Sequence, residues 1–205
     1  MVRKLKPAFT KPEVMAPAGD AACLKAALDA GADAVYFGLE GTNMRAGAKN
    51  FPLRSLGKIV KQCHDAGARA YLTLNNIYYD RELARVDRIL DKAASVGLDA
   101  VIAWDFGVLK LARDHGVSVY LSTQASVANA QALATLHKSY GVRRFVLARE
   151  CSLSDIRSIR QTLPGLLGEK TAAQIELEVF VHGAMCVSVS GRCFLSRFQT
   201  GHSGN

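Results

Sequence analysis

Two cysteines near the end of the chain are the residues best suited to carry chemistry. Cys186 and Cys193 have six residues between them and lie in a segment rich in glycine and serine. An apolar run precedes this segment and breaks abruptly at His182. In parallel α/β proteins, catalytic and binding residues collect at the carboxyl ends of the strands. We therefore expect the functional site to lie in this part of the chain.

The spacing of the two cysteines leaves their chemistry open. Zinc sites usually show a tighter pair, and six intervening residues bring two thiolates together only if the segment folds back. A four-iron cluster takes four thiolates, so Cys186 and Cys193 would supply half of such a site. Two ordinary half-buried cysteines explain the same spacing. The remaining cysteines fall in or beside helical patterns: Cys23, Cys63 and Cys151.

The elements that must position this segment repeat along the chain. Apolar runs without alternation are followed by helical patterns, and most units close on a glycine, which is typical of parallel strands covered by helices. The predicted strands are 14–16, 34–37, 69–74, 100–103, 119–122, 144–147 and 175–181, and the predicted helix-ending glycines are Gly31, Gly67, Gly97, Gly116 and Gly141. Helix caps are predicted at Asp20, at Asp105, and at Ser152 paired with Asp155.

This serial pattern predicts a (β/α) TIM-barrel-like α/β fold with about seven parallel strands. An open, doubly wound sheet is the alternative. No G-x-G-x-x-G or Walker sequence marks the phosphate loop usual in that architecture, so we favour the barrel. Residues 1–11 form a predicted basic tail, and residues 12–205 form a single barrel-like domain. Within that domain, 165–171 is predicted to be a flexible excursion before the last strand.

Composition narrows the class of protein. The 205 residues are 49% hydrophobic and 21% charged, which is typical of a globular chain, and no apolar run is long enough for a membrane span. The first residues lack the apolar core of a secretory signal. Five cysteines, an odd number, indicate a reducing compartment, and we expect a cytoplasmic protein. A net charge of +8 favours a nucleic-acid partner slightly over merely solvated helix faces.

Polar residues follow most of the predicted strands. Parallel strands place these residues on one rim, where amides and guanidinium groups over an apolar barrel make a pocket for a small molecule. The candidate substrate-binding residues are Asn43, Arg45, Asn75 and Gln124, and the candidate catalytic residues are Arg149, Glu150 and His182.

The known protease signatures give no mechanistic support for peptide hydrolysis. The chain contains no H-E-x-x-H zinc motif and no G-x-S-x-G nucleophile elbow. Cys186 and His182 could be pictured as a nucleophile and its base, but no third group that would orient the imidazole is evident.

One block resembles a known family. Residues 178–196, EVFVHGAMCVSVSGRCFLS, are similar to the signature of peptidase family U32, the collagenase-like proteases. The resemblance extends over nearly all of the chain from Pro12 onward. Further blocks agree in the same order: Asn43-Met-Arg45, Thr73-Leu-Asn75, Ser122-Thr-Gln124, Ala148-Arg-Glu150 and His182-Gly183.

The resemblance implies a cofactor and a reaction. It implies that Cys186 and Cys193 bind a 4Fe-4S cluster whose other cysteine ligands lie beyond Asn205, so that the chain is cut within its cysteine motif. It also implies an enzyme that takes part in oxygen-independent hydroxylation of an RNA base, a tRNA wobble uridine or an rRNA cytidine, with RNA as partner and a small-molecule hydroxyl donor. Three alternatives stay open: ubiquinone-ring hydroxylation, a collagenase-like hydrolase, and a non-catalytic scaffold.

Overall fold

A computed structural model of the chain describes residues 11–42, 49–183 and 188–191. Seven strands form one sheet in sequence order, with every neighbouring pair parallel, and the sheet curls into a half-barrel that carries helices on its outer face. The strands are β1 Met15–Ala18, β2 Ala34–Gly38, β3 Arg69–Leu74, β4 Ala100–Ala103, β5 Val119–Leu121, β6 Arg144–Val146 and β7 Glu176–Glu178. The helices are α1 Ala21–Asp29, α2 Leu56–Asp65, α3 Asp80–Ser95, α4 Phe106–Asp114, α5 Ala130–Tyr140, α6 Leu153–Leu167 and α7 Glu169–Ala172, with 3-10 turns at Leu53–Ser55 and Thr123–Ala125. The predicted TIM-barrel-like fold is confirmed.

The predicted helix caps are present. The Asp20 side chain accepts a 2.9 Å hydrogen bond from the Cys23 amide at the start of α1. The Asp105 carboxylate accepts from the first amides of α4. A reciprocal capping box joins Ser152 and Asp155 at the start of α6. Each side chain satisfies amides that have no partner within the helix, which fixes where the helix begins.

Two predicted segments differ from the structure. The predicted excursion at 165–171 is wrong, because α6 continues to Leu167 and α7 follows directly. Pro164 lies inside α6, but Leu163 is fully buried and Leu166 and Leu167 pack on the core, so apolar burial outweighs the hydrogen bond that proline removes.

The last strand is also shorter than the prediction of 175–181. Strand β7 ends at Glu178, and Val179, Phe180 and Val181 beyond it are exposed. Strand β1 runs two residues further than predicted, through Pro17, a residue that only an edge strand tolerates.

The main core lies between the outer face of the sheet and the helices. Helix α3 shows how the sequence builds it: Val86, Leu90 and Ala93, spaced by three and four residues, are almost completely buried, as the periodicity predicts. The inner face of the sheet is lined by small and aromatic residues, including Ala34, Tyr71, Ala100, Ile102 and Tyr120. Buried residues therefore lie on this inner face as well as beneath the helices.

A charged cluster closes the amino-terminal end of this interior. The Arg144 side chain is only 7% exposed. Its Nε donates to Glu176 Oε2 at 2.6 Å, its Nη1 and Nη2 donate to the Glu13 carboxylate, and Nη1 also donates to the Tyr71 hydroxyl. The guanidinium lies 4.3 Å from the centre of the Tyr120 ring. One cation thus joins β6 to β7, to β3 and β5, and to Glu13, two residues before β1.

Replacing this cation should destabilise the fold strongly. Arg144→Met leaves Glu13 without its main partner in a site where solvation is poor, so we expect a loss of about 3–5 kcal/mol in the free energy of unfolding. Arg69→Met is the matched control, since Arg69 also pairs with Glu13, at 2.6 Å, but its side chain is 50% exposed. Its loss should stay below about 1 kcal/mol. Equal losses of unfolding free energy in the two variants, measured by urea denaturation, would contradict the larger contribution of Arg144.

Glu178 is a carboxyl group of this interior whose environment disfavours its charge. Its Oε2 atom is buried and has no hydrogen-bond partner among the residues that the structure describes. Burial raises the pKa of Glu178 from 4.5 to about 7, although the Arg144 guanidinium, 3.9 Å away, acts in the opposite direction. Folding therefore takes up a proton at this residue near neutral pH.

The stability of the chain should fall as pH rises from about 4.5 to about 7, because the unfolded chain releases the Glu178 proton first. Glu178→Gln, which mimics the protonated acid, should remove this loss and be more stable than the native chain at pH 8 by on the order of 2 kcal/mol. Urea denaturation at pH 5 and pH 8 measures the difference. Glu176→Gln serves as control: it removes the negative charge that accepts the 2.6 Å bond from Arg144 and should be less stable than the native chain at both pH values. A native chain and a Glu178→Gln variant with parallel pH profiles would refute the assignment.

Candidate functional site

The carboxyl ends of the strands form one rim, because all seven strands are parallel. Asn75 follows β3, Gln124 lies in the 3-10 turn after β5, and Arg149 and Glu150 follow β6. His182 follows β7 and is exposed, with no hydrogen bond or ion pair to another described residue. The predicted site residues Asn43, Arg45, Cys186 and Cys193 lie outside the described residues. The roles assigned to all of these residues stay predictions.

Side chains cross-link the strand ends beneath this rim. The Trp104 indole donates to the Asn75 carbonyl at 2.8 Å and so connects the end of β4 to the end of β3. The Thr123 hydroxyl donates to the Leu147 carbonyl at 2.9 Å and connects the end of β5 to the end of β6. Bonds of this kind fix the backbone from which the polar side chains project.

The residues around the segment 43–48 are anchored in the same way. Thr42 is buried, and its carbonyl accepts a 2.7 Å hydrogen bond from the Tyr78 hydroxyl. The Arg85 guanidinium donates to the Glu40 carbonyl at 2.6 Å. On the other side, the Phe51 amide donates to the Gly38 carbonyl at 3.0 Å. The chain thus enters and leaves the segment that carries Asn43 and Arg45 from fixed points near the end of β2.

Arg149 and Glu150 hold the segment 188–191, which lies between the two cysteines in the sequence. Ser190 Oγ accepts from the Arg149 amide at 3.0 Å and from Arg149 Nε at 3.2 Å, and Arg149 Nη2 donates to the Ser188 carbonyl at 2.9 Å. The Ser190 amide donates to Glu150 Oε1 at 2.9 Å. We refer to these contacts of Arg149 and Glu150 with Ser188 and Ser190 as the clasp.

The clasp lowers the pKa of its carboxylate and buries one of its serines. The hydrogen bond from the Ser190 amide lowers the pKa of Glu150 below its usual value, and the nearby Arg149 acts in the same direction. Ser190 itself is only 1% exposed. Two residues that the sequence indicates as catalytic candidates are therefore engaged in holding backbone. Sequence reasoning missed Ser188 and Ser190 as their partners, although their position between the cysteines was a signal.

The 3-10 turn after β5 and the residue that follows it also contact the segment 188–191. The Ser126 hydroxyl donates to the Ser190 carbonyl. Gly191 adopts a φ of +72°, and a Cβ at this position would overlap the carbonyl oxygen of Gln124 and come within 2.8 Å of Ser126 Oγ. Only glycine fits this backbone conformation and this close approach. The Gln124 side chain in turn lies 3.3 Å from the Ser122 hydroxyl, which donates to it.

The three cysteines that the structure describes do not form a metal site. Cys63 is buried, and burial raises its pKa to about 11. Burial also raises the pKa of Cys151, and Cys23 is exposed on α1. No cluster of three or more His, Cys, Asp or Glu side chains suited to a metal occurs in the described ranges. Since Cys186 and Cys193 lie outside those ranges, this finding does not bear on them.

These features define a (β/α)-barrel-like protein whose strand ends hold a segment flanked by two cysteines. The chain belongs to peptidase family U32, whose sequence profile matches residues 19–205. A solved U32 peptidase superposes with a TM-score of 0.60 at 14% identity, over 77% of this chain and 68% of that one, which supports the fold. No helix within the described residues has the length and apolar character to cross a bilayer.

Relatives with different names align over most of this chain. A collagenase of Porphyromonas gingivalis is 41% identical over 94% of this chain and 47% of its own length. A tRNA hydroxylation protein P of Helicobacter pylori is 38% identical over 94% of this chain and 44% of its own. The 23S rRNA 5-hydroxycytidine C2501 synthase of Escherichia coli is 37% identical over 94% of this chain and 28% of its own. The chain thus spans less than half the length of these relatives.

The close approach at Gly191 makes the clasp testable. Gly191→Ala introduces both a strained positive φ and an overlap with Gln124, so it should loosen the segment and raise the hydrogen-exchange rate of the Ser190 amide about tenfold or more. Gly31→Ala is the matched control, because Gly31 has a φ of +78° but nothing within 4 Å of an added Cβ. Unchanged protection of Ser190 in Gly191→Ala would show that the contact does not hold the segment.

Proposed function

We propose that this chain is the barrel portion of an enzyme that takes part in hydroxylating an RNA base, a tRNA wobble uridine or an rRNA cytidine. Relatives named for tRNA hydroxylation and for 5-hydroxycytidine synthesis align over more than nine-tenths of it. The observation on this molecule that carries the proposal is the clasp, which fastens the segment between Cys186 and Cys193 to a rim of polar residues. A redox centre and a base-binding surface would then be neighbours.

The cofactor in this proposal is a 4Fe-4S cluster. Cys186 and Cys193 would supply two of its thiolates, and the remaining ligands would come from outside these 205 residues. The chemistry of the donor pair fits, because soft thiolates are the ligands that iron–sulfur clusters use. When bound, the cluster would supply electron transfer.

The residues of this chain would bind and orient the substrate. Asn75 and Gln124, and Asn43 and Arg45 outside the described ranges, would hydrogen-bond the edges of an unpaired base, as amide and guanidinium groups do in RNA recognition. Arg149 and Glu150 act in this proposal as positioning residues, because Arg149 Nε, Arg149 Nη2 and Glu150 Oε1 are engaged in the clasp. His182, exposed at the end of β7, is the group left to accept or donate a proton. The small-molecule hydroxyl donor and the cytoplasmic location are part of the same proposal.

A peptidase is the second candidate, favoured by the collagenase among the relatives. The described residues give little support to peptide hydrolysis. The Ser190 hydroxyl is buried and accepts two hydrogen bonds from Arg149, so it is unsuited to act as a nucleophile. Quinone hydroxylation and a non-catalytic scaffold rest on the sequence resemblance alone.

Genetic complementation with the full-length protein tests the proposal. Cells that lack the gene should miss one hydroxylated nucleoside in tRNA or rRNA, detected by mass spectrometry of digested RNA after growth without oxygen. The native gene should restore it, and Cys193→Ala should not, because half of the thiolate pair is lost. Cys151→Ala is the matched control, since Cys151 lies beside the clasp residue Glu150 but outside the cysteine motif. It should restore the nucleoside.

The outcomes separate the candidates. Restoration by Cys193→Ala, together with unchanged iron content, would refute the cluster assignment. RNA that is unaltered by deletion of the gene would refute RNA hydroxylation, and gelatin hydrolysis by the purified protein would then support the peptidase. Loss of ubiquinone with intact RNA would indicate the quinone reaction.

A further inference from the structure

The exposed apolar side chains of this molecule gather at one end. With the exception of Val14, every large apolar residue that is exposed in the described ranges lies just after a strand, in the first turn of the next helix or in the clasped segment: Leu53, Ile77, Tyr79, Phe106, Leu153, Val179, Phe180, Val181 and Val189. Exposed apolar surface concentrated on one face marks a binding surface. The rim is therefore wider than the ring of polar residues alone.

Tyr79 differs from the other members of this group because its backbone is fixed while its ring is free. Tyr79 as a whole residue is 59% exposed. The Tyr79 amide donates to Glu82 Oε2 at 2.9 Å, and the Tyr79 carbonyl accepts from the Glu82 amide at 2.7 Å. The preceding residue, Tyr78, is tied to the Thr42 carbonyl. An aromatic ring on such a support loses little conformational entropy when a ligand stacks on it.

A cation accompanies the ring. The guanidinium carbon of Arg81 lies 5.2 Å from the centre of the Tyr79 ring, a cation–π distance. Of the neighbouring carboxylates, Glu82 is held by the Tyr79 amide, and both Asp80 and Glu82 lie in the first turn of α3, where the helix dipole favours them. Tyr79 follows the candidate substrate-binding residue Asn75 by four residues, on the same connection between β3 and α3.

We propose that Tyr79, with Arg81 beside it, is a stacking site for an unpaired base of a single-stranded RNA segment. Aromatic rings paired with arginine are the usual platform for unstacked bases, and a double helix does not offer such a base. The net charge of +8 suits a phosphodiester chain. This inference rests on the proposed function for the nature of the substrate, and it adds where a base next to the reacting one is held.

Fluorescence anisotropy with the 205-residue chain tests this site. The probes are fluorescein-labelled oligouridine and a labelled RNA duplex of the same length. Tyr79→Leu keeps an apolar side chain but removes the ring, so it should weaken binding of oligouridine about tenfold. Tyr79→Phe keeps the ring and should bind within about twofold of the native chain. Binding of the duplex should change little in either variant.

Phe106→Leu is the matched control. Phe106 is 61% exposed, close to the value for Tyr79, but its ring stacks on Tyr140 of α5 at 5.5 Å. Its loss should leave oligouridine binding within about twofold of the native value. Arg81→Gln should weaken binding and reduce the slope of log affinity against log salt by about one.

Several results would overturn the proposal: no binding of oligouridine by the native chain, equal affinity of Tyr79→Leu and Tyr79→Phe, or equal losses for Tyr79→Leu and Phe106→Leu. A native chain that associates with itself, and that Tyr79→Leu turns into a monomer in sedimentation, would instead identify the surface as an interface between copies. The binding measurement does not depend on turnover. It can therefore confirm stacking even if the hydroxylation test fails, and it can refute stacking even if the hydroxylation test succeeds.

Discussion

The hydrogen bonds and ion pairs of the Arg144 guanidinium are the contacts on which the shape of this half-barrel depends most. The guanidinium contacts Glu13, which is 131 residues away in the sequence, and also Glu176 and Tyr71. The sheet pairs each strand only with its sequence neighbours, so β1 and β7 are its edges and the ladder itself does not bring them together. A planar cation with five donors can bind carboxylates on several elements at once, which an apolar side chain of the same volume cannot. We regard it as the contact that sets the curl of the sheet.

The two ends of the barrel have separate tasks. At the amino-terminal end, charges and tyrosines are turned inward and satisfy one another. At the carboxyl end, the Trp104 and Thr123 side chains donate to backbone carbonyls that follow neighbouring strands, and the Ser126 hydroxyl donates to the clasped segment. This division is typical of barrels, in which one face provides stability and the other provides function. It also explains why the largest pKa change of a carboxyl group, at Glu178, occurs in the stabilising interior and not on the rim.

The fold was predictable because local signals agreed along the chain. Asp20, Asp105 and Ser152 begin helices, and glycines such as Gly141 end them with a positive φ, so most boundaries follow from single residues. The prediction failed where a tertiary contact outweighs a local signal. Pro164 and Gly165 indicate a break, yet the burial of Leu163 keeps α6 helical. The partners of Arg144 could not be read from the sequence, since nothing local relates position 144 to Glu13.

The rim position of Arg149 and Glu150 was predictable, but their contacts were not. Arg149 and Glu150 follow a strand, which places them on the rim, but only the structure shows that Ser188 and Ser190 occupy their polar atoms. Both serines were visible between the cysteines, and the missing information was which strand end they would meet. That information is a long-range contact, which strand and helix periodicity does not encode.

The packing of Gly191 against the Gln124 carbonyl joins the two halves of the site mechanically. Gln124 is the candidate base-binding residue on β5's turn, and its side chain is oriented by the Ser122 hydroxyl within the same turn. Gly191 stands two residues before Cys193, and the Ser126 hydroxyl fixes the carbonyl next to it. Because glycine allows backbone to touch backbone here, the turn that would hold the substrate and the segment that leads to the cysteine have no flexible side chain between them. We expect a displacement of one to be felt by the other, and the proposed function would make use of this coupling, since it requires a bound base to be aligned with a cluster.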